Sequence, residues 1–188
     1  MFILEEKTSA GGITGVNNSI VEKCCNTGEI YASEGNVGGI AGYGMHCTKF
    51  CYNMGYVHGN STAGGIIGYK SVGNVYNCYN TGKVQASKLV GGINGAAGSK
   101  GRTVYTYNCY NLGTITGSTS GQITGWNNAN SGSSRNINCY STNATKELLN
   151  AGSYSDNEWI DDIKIKDNET GEETWKYNNG YPILKWQL

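Results

Sequence analysis

The side chains able to do chemistry are few. Seven cysteines stand at Cys24, Cys25, Cys47, Cys51, Cys78, Cys109 and Cys139, and two histidines at His46 and His58. An acidic group, Asp156, Glu158, Asp161 and Asp162, surrounds Trp159. Zinc wants four ligands converging as a tetrahedron. Five of the cysteines instead recur singly at intervals of 27, 27, 31 and 30 residues, and no C-x-x-C occurs. That spacing predicts a stacked, buried thiol ladder of Cys24, Cys51, Cys78, Cys109 and Cys139, since a free cysteine packs as a small apolar residue. Cys25 and Cys47 fall off the ladder and are the better candidates for pairing. Cys47 and Cys51 would stand about 13 Å apart along a strand, beyond disulfide reach. The histidines show no nucleophile or acid at triad spacing and read as surface or loop residues. Asp161 and Asp162 are neighbours on a predicted strand, so they diverge; a solvated face is expected rather than a glycosidase pair. No metal, cofactor or catalytic residue is expected, and the chain reads as a non-enzyme.

Two interleaved signatures show what must position these residues. C-Y-N-x-G occurs at Cys51, Cys78 and Cys109, with variants at Cys24 (C-C-N-T-G) and Cys139 (C-Y-S-T-N). G-G-I-x-G begins at Gly11, Gly38, Gly64 and Gly91, with G-Q-I-T-G at Gly121, spaced 27, 26, 27 and 30. A shared period of this length marks a solenoid, whose units bury their apolar faces only by stacking. The prediction is an all-β parallel β-solenoid of about five rungs over residues 1–143. Extra residues should be absorbed at Ala96–Thr103 and Asn127–Ser134. Asn26, Asn53, Asn80 and Asn111 should form an amide ladder and tolerate a left-handed backbone. Gly28, Gly55, Gly82 and Gly113 fit positive φ, and the G-G-I-x-G glycines suit close backbone approach.

Strand alternation makes a further site. If the cysteines face inward, Tyr52, Tyr79, Tyr110 and Tyr140 face outward as an aromatic stripe suited to a sugar or a protein surface. The residues two before each cysteine (Glu22, Lys49, Tyr76, Tyr107, Ile137) would sit badly inside. Either a bend lies near the cysteine or the tyrosines pack inward. Residues 144–188 leave the period and read as a cap of one short helix (144–152) and strands at 159–166, 173–177 and 181–186, covering the end of the stack.

The chain of 188 residues carries 14 basic and 14 acidic side chains, so nothing in its charge points to nucleic acid. No apolar run has the length of a membrane helix, and the first residues do not read as a signal peptide.

The periodic G-G-I-x-G blocks resemble the GLUG motif of bacterial surface proteins, which also occurs outside the catalytic domain of IgA-specific metallopeptidases. The C-Y-N-x-G blocks and the closing G-Y-P-I-L-K-W-Q (180–187) resemble the same class. The resemblance implies an extracellular or cell-surface β-helical module, right-handed, adhesive or spacer-like, with a host or microbial glycan or surface protein as partner. No H-E-x-x-H motif is present, so peptidase chemistry does not carry over. A carbohydrate-active β-helix enzyme and a unit that self-associates end to end are the alternatives. No repeated acidic or basic column supports the enzyme. The end-to-end unit rests on the slight lid that Phe2, Ile3 and Leu4 offer the first rung.

Overall fold

The computed structural model describes residues 8–99, 101–127, 132–141, 174–178 and 181–187. They form a parallel β-solenoid of five turns. Each turn contributes short strands to five sheets running the length of the stack. The second turn is representative: Asn36–Gly38, Ala41–Gly44, Thr48–Lys49, Tyr52–Asn53 and Val57–Gly59. Like residues pair in register, as in Val37 with Ala63 and Tyr79 with Tyr110. The fifth sheet has four described strands, Ile30–Ala32, Val57–Gly59, Val84–Ala86 and Ile115–Thr116. The longer spacings in the last turns are absorbed where expected. There the third-sheet strands lengthen to Arg102–Tyr107 and Gly132–Ile137, pairing over six residues.

Two columns build the main core. Ile40, Ile66, Ile93 and Ile123 of the G-G-I-x-G blocks pack with Cys51, Cys78, Cys109 and Cys139. A second cluster, including Val37, Val57, Val84 and Val90, fills the corner between the first and fifth sheets. The first rung has no neighbour below it among the described residues, so Ile13 is 48% exposed while Ile40, one rung up, is fully buried.

Between the third and fourth sheets the chain turns at a left-handed residue immediately before each ladder cysteine: Lys23, Phe50, Asn77, Asn108 and Asn138, with φ between 49° and 54°. This bend settles the parity problem. A residue in that conformation resets strand alternation, so Lys49 lies outside and Cys51 inside although they are two apart. The expectation for the asparagine column is corrected accordingly: Asn26, Asn53, Asn80 and Asn111 are not left-handed. Nor are Gly28, Gly55, Gly82 and Gly113. Their constraint is space. A Cβ on Gly55 would lie 2.0 Å from the Gly28 carbonyl oxygen, and one on Gly82 2.0 Å from that of Gly55. The second glycine of each G-G-I-x-G block is equally hemmed in, a Cβ on Gly65 falling 2.1 Å from the Gly92 oxygen and 2.5 Å from Asn80 Cγ.

The asparagine ladder forms as expected. Asn26 Nδ2 donates to Asn53 Oδ1, Asn53 Nδ2 to Asn80 Oδ1 and Asn80 Nδ2 to Asn111 Oδ1, each at 2.7 Å. Each amide also donates to the carbonyl of the glycine two residues on. In the fifth rung the two departures from the repeat compensate each other. Ser141 stands where asparagine would be, and Gln122 where the second glycine would be. Gln122 Oε1 accepts from Asn111 Nδ2 at 3.2 Å and from Ser141 Oγ at 3.0 Å. The glutamine amide thus fills the place of the missing asparagine and ends the ladder.

Of the expected cap, the helix at 144–152 and the strand at 159–166 lie outside the described residues. Trp175–Asn178 and Tyr181–Leu184 pair antiparallel, and a 3-10 turn, Lys185–Gln187, follows. No described helix is long and apolar enough to cross a membrane.

Candidate functional site

The tyrosine column does point away from the cysteine core, but it is not a solvent-exposed stripe. Tyr79 and Tyr110 are within 1% of full burial and Tyr140 is buried; Tyr52 is half-buried. The rings stack in parallel, Tyr52 on Tyr79 at 5.0 Å and Tyr79 on Tyr110 at 4.9 Å. What covers them is the terminal segment. Trp175 packs 5.6 Å from Tyr110, and Trp186 5.6 Å from Tyr52. Trp186 Nε1 donates to the Phe50 carbonyl at 3.0 Å, and Gln187 Nε2 to Tyr79 Oη at 2.7 Å. The described part of the terminal segment therefore lies along the flank of the stack rather than across its end. It forms a second core with the tyrosines, Leu184 and Phe50. Leaving four stacked rings in water would forgo the burial of large apolar area, and the aromatic partners lie in the one part of the chain outside the repeat.

All seven cysteines are free thiols. Cys51, Cys78, Cys109 and Cys139 are buried and Cys24 is half-buried in the open first rung. Cys51 Sγ donates to the Lys49 carbonyl at 3.2 Å and Cys78 Sγ to that of Tyr76 at 3.1 Å. Burial and hydrogen bonding along the column raise the Cys78 and Cys109 thiols well above their ordinary range. Such protonated, buried thiols are poor nucleophiles and poor ligands. No cluster of three His, Cys, Asp or Glu suited to a metal occurs among the described residues. The acidic group around Trp159 lies outside them.

The histidines separate. His46 lies in the bend before the third sheet, and its carbonyl accepts from Lys70 Nζ and Asn17 Nδ2. Lys70 is fully buried, in space left by Gly44. His58, expected on the surface or in a loop, is the central residue of the strand Val57–Gly59 and faces outward from the fifth sheet.

There it belongs to a groove of ≈ 200 Å³ lined by Tyr31, His58, Asn60, Gln85, Ser87 and Thr116, with Gly59 and Ala86 between them. Four of these, Tyr31, His58, Gln85 and Thr116, share one outward column, paired in register from rung to rung. Tyr31 is 56% exposed. The His58 ring lies 4.8 Å from that of Tyr31 and is stacked at 4.5 Å on Tyr56. His58 Nε2 meets Glu29 Oε1 at 2.7 Å. Tyr56 Oη donates to Gln85 Oε1 at 2.8 Å, which fixes that carboxamide and leaves its nitrogen without a protein acceptor among the described residues. Lys83 Nζ sits 4.8 Å from the centre of the Tyr56 ring. The His58 and Tyr56 rings and the Gln85 amide are thus held before any ligand arrives, the condition for a recognition surface.

The next strand position turns inward and holds small residues, Ala32, Gly59, Ala86 and Gly117, because the valine corner leaves no room there. A Cβ on Gly59 would lie 2.9 Å from Val37 Cγ1, and one on Gly117 2.4 Å from Val90 Cγ2. That alternation of alanine and glycine is periodic in the sequence but marks the core side of the sheet, so no spacing signal pointed to the groove.

No family model and no curated relative matches the chain. Among solved structures it is similar to one described as "a putative immunoglobulin A1 protease from Bacteroides ovatus", with a TM-score of 0.70 and 27% sequence identity. The match covers 96% of this chain and 65% of that one, so the chain spans less than two thirds of its neighbour's length.

Proposed function

We propose that the chain is a non-catalytic interaction module of a bacterial surface or secreted protein, and that its contact face is the outward side of the fifth sheet. The observation that carries this reading is the groove spanning successive rungs, with an exposed ring at one end and pre-positioned amide and hydroxyl groups along it. The solenoid supplies a rigid support, since every rung is tied to its neighbours by backbone hydrogen bonds, thiols and the amide ladder. The tyrosine column belongs to that support and not to the contact face. The carboxylate beside the groove, Glu29, is engaged by His58, which suits binding better than acid–base work. The GLUG resemblance and the likeness to the Bacteroides ovatus structure support a bacterial surface or secreted setting.

The test is adhesion of the labelled module to mucus-coated surfaces and to intact bacteria, comparing wild type with Tyr31→Ala and Asn60→Ala. Both positions are outside the core, and circular dichroism checks the fold. Loss of adhesion in the variants is the expected result; adhesion unchanged in both refutes the assignment of the face. Incubation with immunoglobulin A1 tests the non-catalytic part, and any cleavage product would overturn it.

A further inference from the structure

The geometry points to a ligand class for this groove: a neutral, extended, β-linked oligosaccharide laid parallel to the solenoid axis. The inference rests on the reading of the fifth sheet as the contact face. Three features select the ligand. The first is charge. The lining consists of rings, carboxamides and hydroxyls, with no Lys, Arg, Asp or Glu, and the flanking Glu29 and Lys83 are occupied by His58 and by the Tyr56 ring. An acidic glycan, a phosphate or a nucleic acid would find no lysine or arginine in the groove to meet it.

The second feature is repeat length. Tyr31, His58, Gln85 and Thr116 stand one per rung, about 4.8 Å apart, so the column runs about 14 Å. An extended peptide advances about 3.3 Å per residue and falls out of step with the rungs. A β-linked hexose chain advances by nearly one rung per residue, so successive sugars meet successive side chains of the column.

The third feature is the order of side chains along that column. Tyr31 and His58 form an aromatic end, their rings 4.8 Å apart and tilted by 35°. Gln85 and Thr116 form a polar end, with Asn60 and Ser87 along the opposite wall. A pyranose has an apolar face of C–H groups and an equator of hydroxyls. The ring end takes the face, and the amide and hydroxyl groups take the equator as donors and acceptors.

The experiment is titration calorimetry of the intact chain with cellotetraose, chitotetraose in its N-acetylated form, the corresponding disaccharides, and an oligogalacturonate as acidic comparator. The expected result is binding of a neutral tetrasaccharide, weaker binding of its disaccharide, and a roughly ten-fold loss of affinity in both Tyr31→Ala and Gln85→Ala. Preference for the acidic oligomer, an unchanged affinity in Tyr31→Ala, or no heat with any saccharide overturns the inference. The adhesion assay separates the two failures. If Tyr31→Ala abolishes adhesion while no saccharide binds, the contact face stands and its ligand is not a glycan. If Tyr31→Ala and Asn60→Ala both leave adhesion intact, the contact face itself is refuted.

Discussion

Replacing Lys70 by methionine should leave the solenoid more stable at neutral pH, by an amount that disappears as the solution is made alkaline. Lys70 is 0% exposed and its ammonium donates to the His46 carbonyl. Burial brings its pKa down from 10.5 to about 8, with the neighbouring Cys47 and Cys78 sulfurs opposing the drop. The sign follows from linkage. The fold prefers the neutral amine, so the contribution of this group is fully present above the unfolded value of 10.5 and is lost as pH falls through about 8. The drop, at about 1.36 kcal/mol per pH unit, corresponds to about 3 kcal/mol. Methionine has a similar shape and no charge to desolvate, while the lost neutral hydrogen bond costs about 1 kcal/mol. Urea unfolding of chains with Lys70 and with Lys70→Met, both carrying Cys47→Ser, between pH 7 and 10.5 isolates the effect, because the Cys47 thiol that couples to Lys70 is then absent and the tyrosine titrations are common to both. The stability difference should move by about 3 kcal/mol toward the chain with Lys70 across that range. A difference independent of pH would refute the argument that the buried charge is what Lys70 costs the fold.

Three other substitutions probe the columns. Gly55→Ala should prevent stable folding, because its Cβ would lie 2.0 Å from the Gly28 oxygen, whereas Gly28→Ala at the same column position should be nearly silent, its nearest contact being 3.8 Å away; thermal melts of the pair measure this, and equal effects would contradict the stacking account. Asn80→Ala removes one link accepting from Asn53 and donating to Asn111 and Gly82, and should cost about 2–4 kcal/mol in urea unfolding. Lys23→Asn should stabilise by about 0.5–1 kcal/mol, since the exposed Lys23 holds φ 51° where three of the other four rungs use asparagine; a loss of stability in the same assay would count against local strain there.

Whatever recurs was legible. Five cysteines, four asparagines and five G-G-I-x-G-like blocks at one period predict the rungs, the buried thiols and the amide ladder, because identical residues in register must meet identical residues. The mixed column two residues upstream of each cysteine left two readings, a bend or inward tyrosines, and the left-handed residue decides for the bend. What occurs only once was not legible. Trp175 and Trp186 have no periodic counterpart, so nothing in the spacing says that they turn back onto the tyrosine flank. Lys70 shares its column with Asn17, Gly44 and Ala97, and only the three-dimensional pairing shows that the lysine fills the space left by the glycine. The groove column, Tyr31, His58, Gln85 and Thr116, varies at every rung, so no period marks it in the sequence. Glycines held by a steric limit and glycines held by a dihedral limit look alike in a sequence, which is why the role of Gly55 was misassigned.

The asparagine ladder has a direction. Each of its amides donates toward the later rung, and each one after Asn26 accepts from the earlier rung, so their dipoles add along the axis and polarise one another. The backbone hydrogen bonds between rungs run both ways and largely cancel, as when Tyr52 donates back to Cys24 and Ile30 forward to Tyr56. The solenoid is therefore a one-way electrical stack with unlike poles. At the first rung, Asn26 offers a carboxamide oxygen that Gly28 uses only in part, a natural acceptor for one more amide. At the last, the oxygen of Gln122 receives two donors and passes no link onward along the column among the described residues. A repeat duplicated anywhere before Gln122 would inherit a matched partner on both sides, whereas one appended after it would meet a chain already terminated. Lengthening such a protein is thus an operation with a permitted end and a forbidden one.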